Sequence, residues 1–335
     1  MKNLQFKLFQ CCIPVKGIKN GTIIDFQRKI IHKVPNQVID ILEEYLNKNI
    51  YDLFKDYHSS REILKSYIRY FLDNELIILS NEIHNYPAIN DAFFNPAILD
   101  SMLLEIDTMT VYLEDFLRLE LNKLGLNSLK IILRNNDISN IHKILGALEV
   151  SKIKAIVLYL EYNNDILLQL ESTVIDEPRV LNVVFFNFNH QIDKLDFSDK
   201  FVFEESSLEE IVYENRIRDI NSFVLDLDLY HEALNFNIMF NKTVFIDSFG
   251  NIKRHKEDIN IYGNIQKKGI ETIINKEDFK LFWKISKDQI EICKDCEFRY
   301  ICPDNRIPYK SNLKAPNYNL KSTCNYDPYQ GKWNK

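Results

Sequence analysis

The chain has 335 residues and is 46% hydrophobic, enough for a sizeable core and, by length, for two or three domains. Its net charge of −6 argues against a whole-protein nucleic-acid binder and leaves room only for a local basic face. With 8 glycines and neither G-x-G-x-x-G nor G-x-x-x-x-G-K-[ST], it excludes the glycine-rich nucleotide folds.

The opening run "MKNLQFKLFQCCIPVKG" does not read as a signal peptide, because Lys7 and Gln10 break its apolar stretch. No uncharged apolar run reaches about 18 residues, so the expectation is a cytoplasmic protein without a membrane span. Short strands are predicted in "KLFQCCIPVKG", "GTIIDFQRK" and "IIHKVP", with a turn at Gly17 and Asn20–Gly21. The adjacent Cys11 and Cys12 read as strand packing residues. Pro35 opens the helix "NQVIDILEEYLNK", with Val38, Ile41, Leu42, Tyr45 and Leu46 on one face. The short helix "IYDLFKDY" follows. Ser59 and Glu62 predict a capping box for a third helix, "REILKSYIRYFLDNEL", whose buried stripe is Ile63, Leu64, Tyr67, Ile68, Phe71 and Leu72. "IILS" closes a module assigned to residues 1–80. Strands followed by three helices suggest a winged-helix unit. Arg61, Lys65 and Arg69 recur every four residues and share a helix face. That face suits DNA phosphates, acidic peptide side chains or plain solvation; between the two binding readings, the acidic chain favours a peptide.

Residues 81–112 carry two prolines and mixed polarity and read as a joint. From 113 to 237, helices and strands alternate. "VYLEDFLRLELNKLG" is helical, with Leu113, Phe116, Leu117, Leu121 and Leu124 on its apolar face. "SLKIILR" reads as a strand and "DISNIHKILGALEVSK" as a helix capped by Asp137. "AIVLYLEY" is a strand, "NDILLQLEST" a helix and "VLNVVFFNFN" a strand, before the helical "SLEEIVYENRI" and the extended "SFVLDLDLY". Strands apolar on both faces, alternating with helices, predict an α/β domain with a parallel sheet. Tyr230, His231 and Glu232 fall where a strand end could present acid–base groups, or form an ordinary surface feature.

The last domain, 238–335, holds four of the six cysteines, spaced Cys293-x2-Cys296-x5-Cys302-x21-Cys324. A C-x2-C step offers two thiolates from one turn, and the distant cysteine returns a fourth. In a reducing compartment this set points to a metal centre, either tetrahedral zinc or an iron–sulfur cluster.

"CKDCEFRYICPDNR", with "CNYDPY" downstream, resembles the SPASM domain of peptide-modifying radical enzymes, closest to the SPASM proteins of grasp-with-spasm systems. The resemblance implies that Cys293, Cys296, Cys302 and Cys324 ligate a [4Fe–4S] cluster, with Zn²⁺ the alternative. The chain departs from the family pattern twice. Asn305 or Arg306 stands where a further ligand would be, and His255 occupies the cysteine position of the upstream G-x4-C. His255 is a possible replacement ligand or a solvated histidine in "KRHKED", so one centre is expected rather than two. The C-x3-C-x2-C motif of radical SAM enzymes is absent, so neither S-adenosylmethionine nor independent radical chemistry is expected. The resemblance further implies a degenerate partial (β/α) barrel over 113–237 and a RiPP recognition element at 1–80. The expected function is a ribosomal-peptide maturation accessory protein. It would bind a precursor leader peptide and act with an ATP-grasp ligase that crosslinks the peptide. The alternatives are a metal-dependent peptide-modifying enzyme and a redox-sensing winged-helix DNA regulator.

Overall fold

The computed structural model describes residues 4–86, 92–189, 198–213, 217–267, 269–312 and 314–334. The chain forms two compact units. The first comprises Met1–Phe93, Ile217–Phe236 and Ser286–Lys335; the second comprises Phe94–Arg216 and Asn237–Ile285.

The first unit begins with strands β1 (Gln5–Leu8), β2 (Cys12–Lys16), β3 (Gly21–Asp25) and β4 (Ile30–Val34). Helices α1 (Asn36–Glu44), α2 (Ile50–Asp56) and α3 (Arg61–Asp73) follow, then β5 (Ile77–Ser80). β5 pairs antiparallel with β1, while β2, β3 and β4 make a separate antiparallel sheet with β3 in the middle. All five residues of β3, Gly-Thr-Ile-Ile-Asp, are buried, because the sheet is covered on both faces. Alternate residues point opposite ways. Ile23 joins a core with Phe6, Ile39, Leu53 and Phe71 on the helical side. Ile24 joins Val15, Phe26, Phe298, Ile301 and Tyr326 on the other. N-terminal strands and C-terminal turns thus share one apolar core.

The helices differ from expectation in detail. A 3₁₀ turn, His58–Ser60, runs into α3, so Ser60 rather than Ser59 precedes it, and no side chain caps it. Glu62, freed from the predicted box, pairs with Lys65 at 2.6 Å. Of the predicted stripe, Leu64, Ile68 and Phe71 are buried, but Ile63 is 63% exposed. The helix buries the narrower 3–4 spaced face that the core can cover. The segment expected to be extended after Ser222 instead forms the helix Leu227–Ala233, whose N-cap Asp226 accepts from the backbone N–H groups of Asp228 and Leu229.

The second unit is built on a parallel sheet, as the alternating pattern predicts. It contains β6 (Ser101–Ile106), β7 (Ser128–Leu133), β8 (Ala155–Glu161), β9 (Val180–Phe186) and β10 (Phe201–Phe203), all running parallel. β11 (Thr243–Ile246) adds parallel on the far side of β6, and β12 (Asn251–Lys253) and β13 (Gly263–Asn264) continue antiparallel. Between β6 and β7 run α4 (Val111–Asp115), a π-helical turn (Phe116–Glu120) and α5 (Leu121–Leu124). The other connections carry α6 (Ile138–Ala147) and α7 (Asn164–Val174), with α8 (Leu208–Tyr213) after β10. Leu113, Phe116, Leu117, Leu121 and Leu124 are all buried against the sheet, and Asp137 caps α6 through the Ser139 N–H.

β6 falls within the stretch read from sequence as a joint. Its Glu105 interrupts the apolar pattern, and the structure meets that buried carboxylate with Arg134 at 2.7 Å. Residues 87–91 of that stretch and 214–216 of "SLEEIVYENRI" lie outside the described residues. Among the described residues no helix is long and apolar enough to cross a membrane.

Candidate metal centre

The cysteine segment is irregular, made of short 3₁₀ turns at Cys293–Asp295 and Arg299–Ile301. The first turn closes through the Cys296 N–H to the Cys293 carbonyl (3.0 Å), which brings the C-x2-C pair together. Ile292, just before it, sits at φ 69°. A β-branched residue in the left-handed region is strained, and such strain persists only where the surroundings fix it.

Cys293, Cys296, Cys302 and Cys324 line one pocket, walled by Phe223, Ile292 and Tyr326. Two of the sulfurs accept backbone hydrogen bonds, Cys296 from Phe298 (3.4 Å) and Cys324 from Tyr326 (3.5 Å). N–H groups aimed at sulfur suit thiolates and tune any centre that they bind. Burial pushes the Cys302 thiol up to about 12 and raises Cys293 and Cys296 as well.

Four charged side chains line the pocket, Lys287, Arg299, Asp304 and Arg306, and three of them form one cluster. The Lys287 ammonium donates to the Asp304 carboxylate (3.1 Å) and carbonyl (3.3 Å). Arg306 grips the same carboxylate through Nε (2.9 Å) and Nη2 (2.7 Å), and its Nη1 donates to the Ser322 carbonyl. Burial alone would pull the Lys287 ammonium down; Asp304 and the thiols of Cys293 and Cys302 hold it above its usual range instead.

The same segment is stitched to the β2–β3 hairpin. The Ile18 N–H donates to the Asp295 carbonyl (2.7 Å) and the Thr22 hydroxyl to the Glu297 carbonyl (3.2 Å). Gly17 lies so close that a Cβ there would stand 2.7 Å from the Glu297 nitrogen. Lys33 of β4 sits over the rings of Phe298 and Tyr326, 5.4 and 5.5 Å from their centroids.

The other residues singled out from sequence lie elsewhere. His255 belongs to the second unit, its ring 5.4 Å from that of Phe282. Arg61, Lys65 and Arg69 are exposed on α3, as their spacing predicts. Tyr230 and His231 are buried in the helix Leu227–Ala233 rather than displayed after a strand. Cys12 packs in the core, and Cys11, Cys12 and Asp25 bring three donor atoms within 4.8 Å of one another. The Asp25 carboxylate there already accepts from the N–H groups of Gln27 (2.9 Å) and Arg28 (3.0 Å) and from the Arg28 guanidinium (3.0 Å). Sequence reasoning missed the Lys287–Asp304–Arg306 cluster. Its signal was present in "CPDNR", where an acid and a base flank one residue beside a cysteine.

No family profile matches the chain, and no curated protein matches it. Among solved structures, SuiB of Streptococcus suis bound to S-adenosylmethionine is similar over 95% of this chain and 99% of that one, at 13% identity and TM-score 0.35. A second SuiB structure from Streptococcus suis covers 89% and 94%, at 10% identity and TM-score 0.34. Native anSMEcpe with bound AdoMet and Cp18Cys peptide covers 69% and 93%, at 11% identity and TM-score 0.33. Superpositions this loose carry no argument about fold or function.

Proposed function

We propose that the protein is a ribosomal-peptide maturation accessory factor. It holds one cysteine-ligated [4Fe–4S] centre and binds a precursor leader peptide through its N-terminal module, residues 1–80. The observation that carries the reading is the gathering of four thiols, from two separated chain segments, around one pocket. Cys293, Cys296, Cys302 and Cys324 would hold the centre. The resemblance favours a cubane cluster over zinc. Four cysteines fill its four corners, so the centre's role is to fix structure rather than to activate a substrate.

The peptide half of the reading rests on the resemblance to a RiPP recognition element and on β4. β4 is an edge of its sheet, and α3 reaches it through the Tyr70 hydroxyl, 2.7 Å from His32 Nδ1. An extended peptide adds to such an edge by main-chain hydrogen bonds, while side chains beside it select the sequence. Arg61, Lys65 and Arg69 would meet acidic leader residues. An ATP-grasp ligase would then act on the core peptide that the factor presents, in a cytoplasmic setting.

Anaerobic purification of the full chain tests the centre. The expected preparation is brown, absorbs near 400 nm and carries about four iron and four sulfide per chain. Stoichiometric zinc without iron would reverse the cluster assignment, and absence of both would end the metal reading. Fluorescence anisotropy with a labelled acidic leader-type peptide, or with any short precursor found encoded beside the gene, tests the leader module. No measurable binding would sink that half.

A further inference from the structure

We propose that Lys287, Asp304 and Arg306 form a built-in counter-charge for a dianionic thiolate centre in the pocket they share with the cysteines. The inference rests on the metal-centre reading above and adds a role that no cysteine spacing implies.

The charge count is the starting point. Lys287 is 3% exposed, Asp304 1% and Arg306 8%. Two cations face one carboxylate, which leaves a surplus of one positive charge in a poorly solvated space. Burying an uncompensated charge is costly, so a fold that keeps one there has an anion to set against it. The fourth charged liner, Arg299, is already matched by Asp288 at 2.8 Å. The buried Glu297 turns toward the Tyr326 hydroxyl and Gly17. The anion therefore has to come from the pocket's occupant. Four thiolates around a doubly charged cubane core sum to a dianion, and four around Zn²⁺ do the same.

The cluster also ties together the segments that deliver the sulfurs. Lys287 precedes the Cys293–Cys296 turn, Asp304 follows Cys302 by two residues, and Arg306 bonds the carbonyl of Ser322, two residues before Cys324. A purely mechanical tie and an electrostatic partner make different predictions. Damage to a tie has the same sense whichever member is removed. Loss of charge has opposite senses for a cation and an anion.

The experiment is a mediated redox titration of the anaerobically purified full chain, followed by electron paramagnetic resonance. Positive charge stabilises the reduced, more negative cluster. Lys287→Met should shift the midpoint potential downward, Asp304→Asn upward, and the double variant should return close to the parent. Lys287→Arg keeps the charge and should hold the parent value, which controls for folding. If the natural protein holds zinc instead, chelator competition reads the same charges: Lys287→Met weakens retention and Asp304→Asn strengthens it. Shifts of one sense for both variants, or none in either, overturn the counter-charge role while leaving the centre intact. A parent protein without metal overturns the centre itself and this role with it.

Discussion

Arg299 donates from a single guanidinium nitrogen to the Lys16 carbonyl of β2 (2.6 Å) and to the Cys296 carbonyl (2.9 Å). One side chain therefore joins the N-terminal sheet to a proposed cluster ligand. Arg299→Ala removes both bonds and the pairing with Asp288. The expected loss is about 1.5–3 kcal/mol, as for hydrogen bonds to a charged group. A lower urea midpoint, with less iron retained after gel filtration, is the outcome to look for. Unchanged values for both would show that the two parts do not depend on this contact.

Gly17 offers a second probe of the same junction. An added Cβ would meet the Glu297 nitrogen at 2.7 Å, the Asn20 carbonyl at 2.8 Å and the Glu297 carboxylate at 2.8 Å. Two of these are atoms of the backbone, which cannot swing aside. Gly17→Ala should destabilise by about 1–3 kcal/mol, the range for overpacking. Equilibrium denaturation checks it; a stability equal to the parent would mean the hairpin yields freely.

On α3, the triple variant Arg61→Glu, Lys65→Glu, Arg69→Glu changes exposed residues only. Folding should shift by less than about 1 kcal/mol, while binding of an acidic leader should weaken at least tenfold and lose its salt dependence. Anisotropy at two salt concentrations measures both. Equal affinity would place the peptide elsewhere.

Glu177 and Arg179 form a two-point pair at 2.8 and 2.7 Å, and Arg179 also donates to the Leu148 carbonyl at 2.7 Å. The Arg179 guanidinium holds the Glu177 carboxyl below its ordinary value. A carboxyl lowered in the folded state contributes stability above its unfolded value of about 4.3, and that contribution is lost as pH falls through the lowered value. Stability should therefore fall as the solution is acidified below about pH 4. Glu177→Gln should flatten that part of the curve. Parallel urea curves for parent and variant between neutral and acid pH would contradict the assignment.

Ile292 tests the strain beside Cys293. At φ 69° and ψ −48° a glycine is tolerated, whereas a β-branched residue in so sparsely populated a region costs on the order of 1–3 kcal/mol. Ile292→Gly should raise stability, because the side chain is 49% exposed and has little packing to lose. A thermal melt of the full chain checks it; a lower midpoint than the parent would contradict the strain argument.

Much of this architecture was legible in the sequence. The parallel sheet was readable because β7, β8 and β9 are apolar runs between helical periods, and covered strands need no polar face. The gathering of the cysteines was readable from their spacing. β6 was not, since Glu105 breaks its pattern and only the folded chain supplies Arg134. Nor was the two-sided burial of β3, because nothing local announces that Thr22 and Ile24 will meet residues near 297. The register that sets Cys12 opposite Asp25 follows from the turn between β2 and β3, yet the Arg28 partner that occupies the carboxylate does not.

The strands that open the first unit share one core with residues far along the chain: Val15, Ile24 and Phe26 pack with Ile217, Phe223 and Tyr230 and, further on, with Phe298, Ile301 and Tyr326. Loops this long must close before their contacts reward them, and non-local closure is slow and exposed to aggregation. The first unit is thus expected to refold more slowly than one built on neighbouring elements.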